Sequence, residues 1–217
     1  MLQPFTRVTG LAAPLLRANI DTDAISPSHY KPVELSKHGF ESALFLDWRH
    51  RPDGTTDPDF VLNQDRYQQA TILIAGPNFG CGSSRETAVW ALRDAGFRAI
   101  IAPSFALIFQ TNCVRNGLLP LALSSEVHQQ LAAETFADGA PSRVDIDLVG
   151  QTVGAIGGPR HSFVIDSRVR TQLISGLDAI GQTLQHRDRI DAFRHVDQQR
   201  RPWIYPNPPE KAPARCR

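Results

Sequence analysis

Between residues 70 and 123 the apolar positions fall into short dense runs separated by glycine and proline, the rhythm of buried strands alternating with helices. Thr71-Ile-Leu-Ile-Ala75, bounded by Gly76-Pro77, reads as a strand covered on both faces. Ala88, Val89, Ala91, Leu92 and Ala95 then share one helical face, and Gly96 sits where a C-cap belongs. Arg98-Ala-Ile-Ile-Ala102 is a second buried strand; Pro103-Ser104 starts a helix to about Asn112, closed by Asn116-Gly117. Residues 118–123 return to strand, and Ser125–Phe136 reads as a helix with a polar face. This alternation predicts βαβ units with at least some parallel pairing.

The flanks follow other patterns. Residues 6–19 read as extended or loop-like, and residues 47–65, rich in Pro, Gly, Asp and Arg, as a long surface excursion. Val144-Asp-Ile-Asp-Leu-Val149 alternates as a half-buried strand should, Gly157-Gly158 marks a turn, and residues 161–165 are the expected hairpin partner. Two or three helices follow to about His195, where His186 and His195 read as solvated positions. The expectation is an α/β fold with a mixed sheet over residues 1–200, followed by a Pro-rich tail, 201–217, extended or disordered.

Composition narrows the function classes. The 217 residues allow one large domain or two small ones. Lys plus Arg is 23 and Asp plus Glu 22, a formal charge of +1, which argues against nucleic-acid binding by bulk electrostatics. The longest apolar runs, 88–92 and 105–109, fall far short of the ~20 residues of a membrane span. The N-terminus lacks the apolar core of a secretory signal. Cys81, Cys113 and Cys216 are odd in number and far apart, so a disulfide framework is not expected and a reducing cytoplasm is. With no Cys-x-x-Cys pair they do not form an iron–sulfur site either.

The chemistry concentrates in Gly76-Pro-Asn-Phe-Gly-Cys-Gly-Ser-Ser-Arg-Glu86, a strand–glycine loop–helix junction. A Walker loop fails because Cys81 takes the place of its second glycine and no lysine follows; a dinucleotide fingerprint loses its third glycine to Arg85. An anion site remains. Backbone N–H groups and the helix N-terminus attract a carboxylate, and the Arg85 fork suits bidentate binding of one. A serine in that positive field is a candidate general base. Against this stands a capping box, Ser83 at the N-cap and Glu86 at N3, which alone would explain both residues. Cys81, beside a helix start, could have a lowered pKa. Asp21 and Asp23 share a face if their segment is extended, as paired carboxylates or as turn-forming residues.

From Asn78 to Glu86 the sequence resembles the small subunits of 3-isopropylmalate dehydratase, in the aconitase superfamily. Asn19-Ile-Asp-Thr-Asp-Ala-Ile25 is similar to the family's N-terminal motif. Residues 40–48, 59–63, 101–106, 118–120 and 176–186 resemble its other blocks, in order, over nearly the whole chain. The resemblance implies a swivelling β/β/α domain that closes over an active site held mostly by a separate large subunit, the carrier of a [4Fe-4S] cluster. This chain itself would hold no cofactor or metal. By motif position Ser83 would be the base, and Ser84 and Arg85 would bind a substrate carboxylate. Asp21, Thr22, Asp23, Gly80, Cys81 and Gly82 would line or support the pocket, and residues 26–31 would help select the substrate side chain. The implied reaction is dehydration and rehydration of 2-isopropylmalate to 3-isopropylmalate in leucine biosynthesis.

Two departures keep alternatives open. Thr87 stands where the family usually has His, and Ser26-Pro-Ser-His-Tyr30 is more polar than the usual loop. The first leaves room for a catalytically silent subunit, the second for a hydro-lyase acting on a smaller substrate such as a methylmalate.

Overall fold

The computed structural model describes residues 2–30, 39–82, 85–137 and 142–205. One seven-stranded sheet organises the first of two compact units, Met1–Leu177. Its strands are β1 (Arg7–Leu15), β2 (Ala70–Ala75), β3 (Ala99–Ala102), β4 (Leu119–Ala122), β5 (Arg143–Asp147), β6 (Thr152–Ala155) and β7 (His161–Ser162), in the order β4-β3-β2-β1-β5-β6-β7. β1 to β4 pair in parallel; β1–β5, β5–β6 and β6–β7 are antiparallel. The sheet is mixed, as expected, and its middle strand is the segment that read only as extended.

Strand alternation splits the core into two layers. Leu73, Ala75, Ile100 and Ala102 face α1 (Thr22–Ile25), α3 (Glu86–Asp94) and α4 (Leu107–Arg115). Ile72, Ile74, Ala99 and Ile101 face the opposite way, toward α5 (Ser125–Phe136) and α6 (Ser167–Ser175). Coverage on both sides is why β2 and β3 are continuous apolar runs rather than alternating ones. The excursion after residue 47 is partly built in: α2 (Leu46–Arg49) leads to short 3-10 turns whose Leu62 and Tyr67 reach the core. There Asn63 Oδ1 accepts from Arg49 Nε at 2.7 Å, while its Nδ2 donates to the Arg49 carbonyl.

Three local expectations are corrected. The partner of β5 is β6, a strand the pattern did not suggest, and His161–Ser162 pairs with β6 instead. α4 begins at Leu107, not at Pro103-Ser104, because the Ser104 backbone and hydroxyl are spent on residues 78 and 79. The helix start differs from the one the capping box implied: α3 begins at Glu86, and Arg85, extended at φ −121° and ψ 132°, is its N-cap; Ser83 lies outside the described residues. The C-terminal expectation holds, with Ala95 as cap and Gly96 in the left-handed region at φ +95°.

The second unit, Asp178–Arg217, contains α7 (Ala179–Leu184) and α8 (Arg187–Arg200). Pro202–Ile204 form a 3-10 turn, and the Tyr205 hydroxyl donates to Asp197 Oδ2 at 2.8 Å, so the start of the Pro-rich segment folds back on α8. Residues 206–217 of the expected tail lie outside the described residues.

Candidate active-site loop and its supports

The carboxyl ends of parallel strands are where α/β sheets bind ligands, and here three such ends are sewn together. Beyond β2 the glycine loop runs between the chain leaving β1 and the chain leaving β3. On one side Asn19 N donates to Pro77 O (2.9 Å), Gly80 N to Ile20 O (2.7 Å) and Thr22 N to Cys81 O (3.1 Å). On the other, Phe79 N donates to Ser104 O (3.1 Å), Ala106 N to Phe79 O (3.0 Å) and Asn78 N to Ser104 Oγ (2.9 Å). The amides of Asn78, Phe79 and Gly80 are therefore consumed within the protein and do not serve the anion cradle the sequence suggested. Asn19 and Asn78 take φ +57° and +58°, a conformation asparagine tolerates, and Asn78 Nδ2 donates to Asn19 Oδ1 at 2.8 Å. Gly80 has φ +74°, and a Cβ there would stand 2.1 Å from the Phe109 ring, so no other residue fits.

Asp21 and Asp23 do not share an extended face. Asp21 is the N-cap of α1, its Oδ1 accepting from Ala24 N at 2.7 Å. Asp23 lies in the first turn and forms an ion pair from its Oδ1 to Arg85 Nη2. Both partners stay open to solvent, with side chains 28% (Arg85) and 50% (Asp23) exposed, so the pair can be reached by a ligand. Thr22 is buried, Gly82 is exposed and Cys81 is half-buried with a free thiol. Ser83 and Ser84 lie outside the described residues, as does Lys31 of the expected specificity loop. Of that loop Ser28 and His29 are exposed, with His29 Nε2 3.4 Å from Asp47.

Glu86 has a role the sequence did not reveal. Its Oε1 accepts from Asn116 Nδ2 at 3.0 Å, and Trp90 Nε1 donates to Asn116 Oδ1 at 3.1 Å. Ser104 and Asn116 were both legible only as helix punctuation. The buried Cys113 thiol, whose pKa burial pushes well up, is inert packing. Among the described residues no three His, Cys, Asp or Glu side chains gather as a metal site, and no helix is long and apolar enough to cross a membrane.

A separate cavity of about 480 Å³ lies between the strand ends and α5, lined by Leu16, Gly76, Pro77, Pro103, His128 and Phe136 among others. Arg85 does not line it. Burial lowers the His128 pKa, opposed by a hydrogen bond with the Ala75 carbonyl, and its Nε2 is buried without a partner among the described residues.

Comparison with known proteins agrees with this architecture. Residues 2–126 match the family described as the aconitase C-terminal domain. Residues 180–206 match the C-terminal domain of the 3-isopropylmalate dehydratase small subunit. A 3-isopropylmalate dehydratase small subunit from Cupriavidus necator is 50% identical over 206 residues, covering 94% of this chain and 99% of the relative. Its counterpart from Roseobacter denitrificans is 45% identical over 203 residues, covering 94% of this chain and all of the relative (100%). The crystal structure of a 3-isopropylmalate dehydratase from Methanocaldococcus jannaschii superposes with a TM-score of 0.60 at 25% identity, over 87% of this chain and 99% of that one. With matches that run almost end to end, the chain belongs to the small-subunit family of 3-isopropylmalate dehydratase, within the aconitase superfamily.

Proposed function

We propose that this chain supplies the base and the carboxylate-binding groups of a two-subunit cytoplasmic hydro-lyase that interconverts 2-isopropylmalate and 3-isopropylmalate in leucine biosynthesis. The observation that carries the reading is the Asp23–Arg85 pair: two motif segments distant in sequence meet in one solvent-accessible ion pair, its arginine next in sequence after the two serines.

In the forward direction the Ser83 oxygen takes the proton alpha to a carboxylate. The C–H electron pair becomes the double bond of 2-isopropylmaleate as the C–O bond breaks and the hydroxyl departs with that bond's electron pair as hydroxide. Re-addition of that hydroxide with the opposite regiochemistry, as Ser83 returns its proton to the other carbon, completes the exchange and regenerates the alkoxide. A carbon acid of this kind is weak, so the base must be held as an alkoxide; the positive field of Arg85 and the α3 N-terminus favours that form. Arg85 anchors the substrate carboxylate through its fork, and the Ser84 hydroxyl donates to the same group. Asp23 keeps the guanidinium oriented while leaving other N–H groups for substrate.

The described side chains do not fit an iron–sulfur cluster, since Cys113 is sealed in the core and Cys81 has no second thiolate nearby among them. The proposed holder is the large subunit, where the [4Fe-4S] group supplies Lewis acidity toward the substrate's hydroxyl and carboxylate. The first unit, which carries the glycine loop, is the part that swivels over that partner.

The test is an anaerobic assay of the chain reconstituted with its large subunit. Ser83→Ala should still assemble, by size-exclusion, and lose on the order of 10²–10⁴ in turnover; unchanged turnover overturns the reading. The polar Ser28 and His29 favour a second substrate reading. Preference for a methyl-substituted maleate over 2-isopropylmaleate would keep the mechanism and move the enzyme to a smaller substrate.

A further inference from the structure

The Asn116 side chain is buried at 8% exposure, and every polar atom it carries is used. Oδ1 accepts from Trp90 Nε1, while Nδ2 donates both to Glu86 Oε1 and to the Asn112 carbonyl at 2.9 Å. The amide can sit only one way round, because an indole N–H only donates whereas a carboxylate and a carbonyl only accept. Closing α4 does not require this side chain. The backbone does that already, through Asn116 N to the Asn112 and Cys113 carbonyls and Leu118 N to the Cys113 carbonyl. Two of the three side-chain bonds instead reach across to α3, at its first residue and one turn further on.

Glu86 is the peptide neighbour of Arg85. The start of α3 is thus gripped from α4 by Asn116, and the Arg85 guanidinium is gripped from α1 by Asp23. We propose that Asn116 is a positioning residue for the carboxylate-binding site: it fixes where α3 begins, and so where Arg85 is presented. This role rests on the functional reading of that loop given above. Asp cannot take the place of Asn116, since it would set a second carboxylate against Glu86 and turn an acceptor toward the Asn112 carbonyl, which would keep only its backbone donor. Nor can Ser, which is too short to bridge both helices. Displacing a binding group by about 1 Å costs on the order of 10²-fold in rate, which sets the scale of the expected effect.

Three variants, each reconstituted with the large subunit, test this by steady-state kinetics on 2-isopropylmaleate and by thermal melting. Asn116→Asp should raise KM and lower kcat/KM on the order of 10²-fold while the complex still forms. Asn116→Asp with Glu86→Gln exchanges donor and acceptor, so it should recover about tenfold of that loss. Should Asn116→Asp fail to fold, Trp90→Phe, which removes the indole donor and keeps an aromatic ring, carries the same test with about a threefold expected rise in KM. A purely structural role would lower the active fraction, cutting kcat and Tm at constant KM. Wild-type KM in Asn116→Asp, or in Trp90→Phe where that is the folded variant, overturns the proposal, as does a double variant that recovers Tm but not KM. Ser83→Ala, run alongside, separates the two ideas. Full activity in Ser83→Ala removes the site reading itself, whereas a dead Ser83→Ala with wild-type KM in Asn116→Asp removes only the role of Asn116.

Discussion

The two halves of the sheet handle polar groups in opposite ways. In the parallel half β2, β3 and β4 carry no charged residue, and the charged groups Arg85 and Asp23 stand half-open in the segments beyond the strands' carboxyl ends. In the antiparallel half a charge sits within a strand. Asp145 on β5 is almost fully buried, accepting from Arg7 Nε (2.9 Å), Arg160 Nη1 (2.6 Å) and Thr9 Oγ1 (2.5 Å). The Arg7 hydrogen bond, with those of Thr9 and Arg160, holds its carboxyl well below the usual carboxylate range against the opposing effect of burial. One half leaves an ion pair within reach of a ligand; the other saturates a carboxylate so that it ties β1, β5 and the β6–β7 turn. The contrast lies in how many hydrogen bonds each charged contact leaves to be made.

Mutations at the two sites should therefore differ in kind. Gly80→Ala should do most damage, forcing a Cβ into Phe109 at an unfavourable φ for about 4 kcal/mol, visible as a large drop in Tm together with lost activity. Arg85→Lys keeps the charge but loses the planar fork, so KM should rise about tenfold or more at unchanged Tm. Asp145→Asn reverses that signature, with about 2 kcal/mol lost in urea denaturation at pH 7 and normal KM in the folded enzyme.

The smallest effect is the pH dependence of Tm. His128 has its folded pKa lowered, so the unfolded chain binds more protons and stability falls as pH drops below about 6.5. Asp145 is likewise depressed; its contribution is complete above its unfolded pKa and is lost as pH falls from about 4 toward the folded value. His128→Gln should flatten the upper step, and Asp145→Asn the lower.

Legibility in the sequence followed the same division. β2, β3 and α5 could be read because burial on two faces, or on one helical face, writes a local pattern. β6 could not: its Gly154 is there because the Pro159 carbonyl would stand 2.3 Å from a Cβ, a contact invisible in the order of residues. β1 read as extended, but its central place depends on partners far along the chain. At the loop the motif was legible as a run of residues. The Asp23–Arg85 pair and the Asn116 bridge were not, since each joins separate elements. The start of α4 was misplaced because Ser104, a plausible cap by type, is occupied by the glycine loop.

That seam along the glycine loop has an entropic consequence. Fixing one residue's backbone costs about 1–2 kcal/mol, and Asn78, Phe79 and Gly80 are already fixed by hydrogen bonds to chain on both sides. Their ordering is charged to folding, so a ligand arriving at the loop need not supply it.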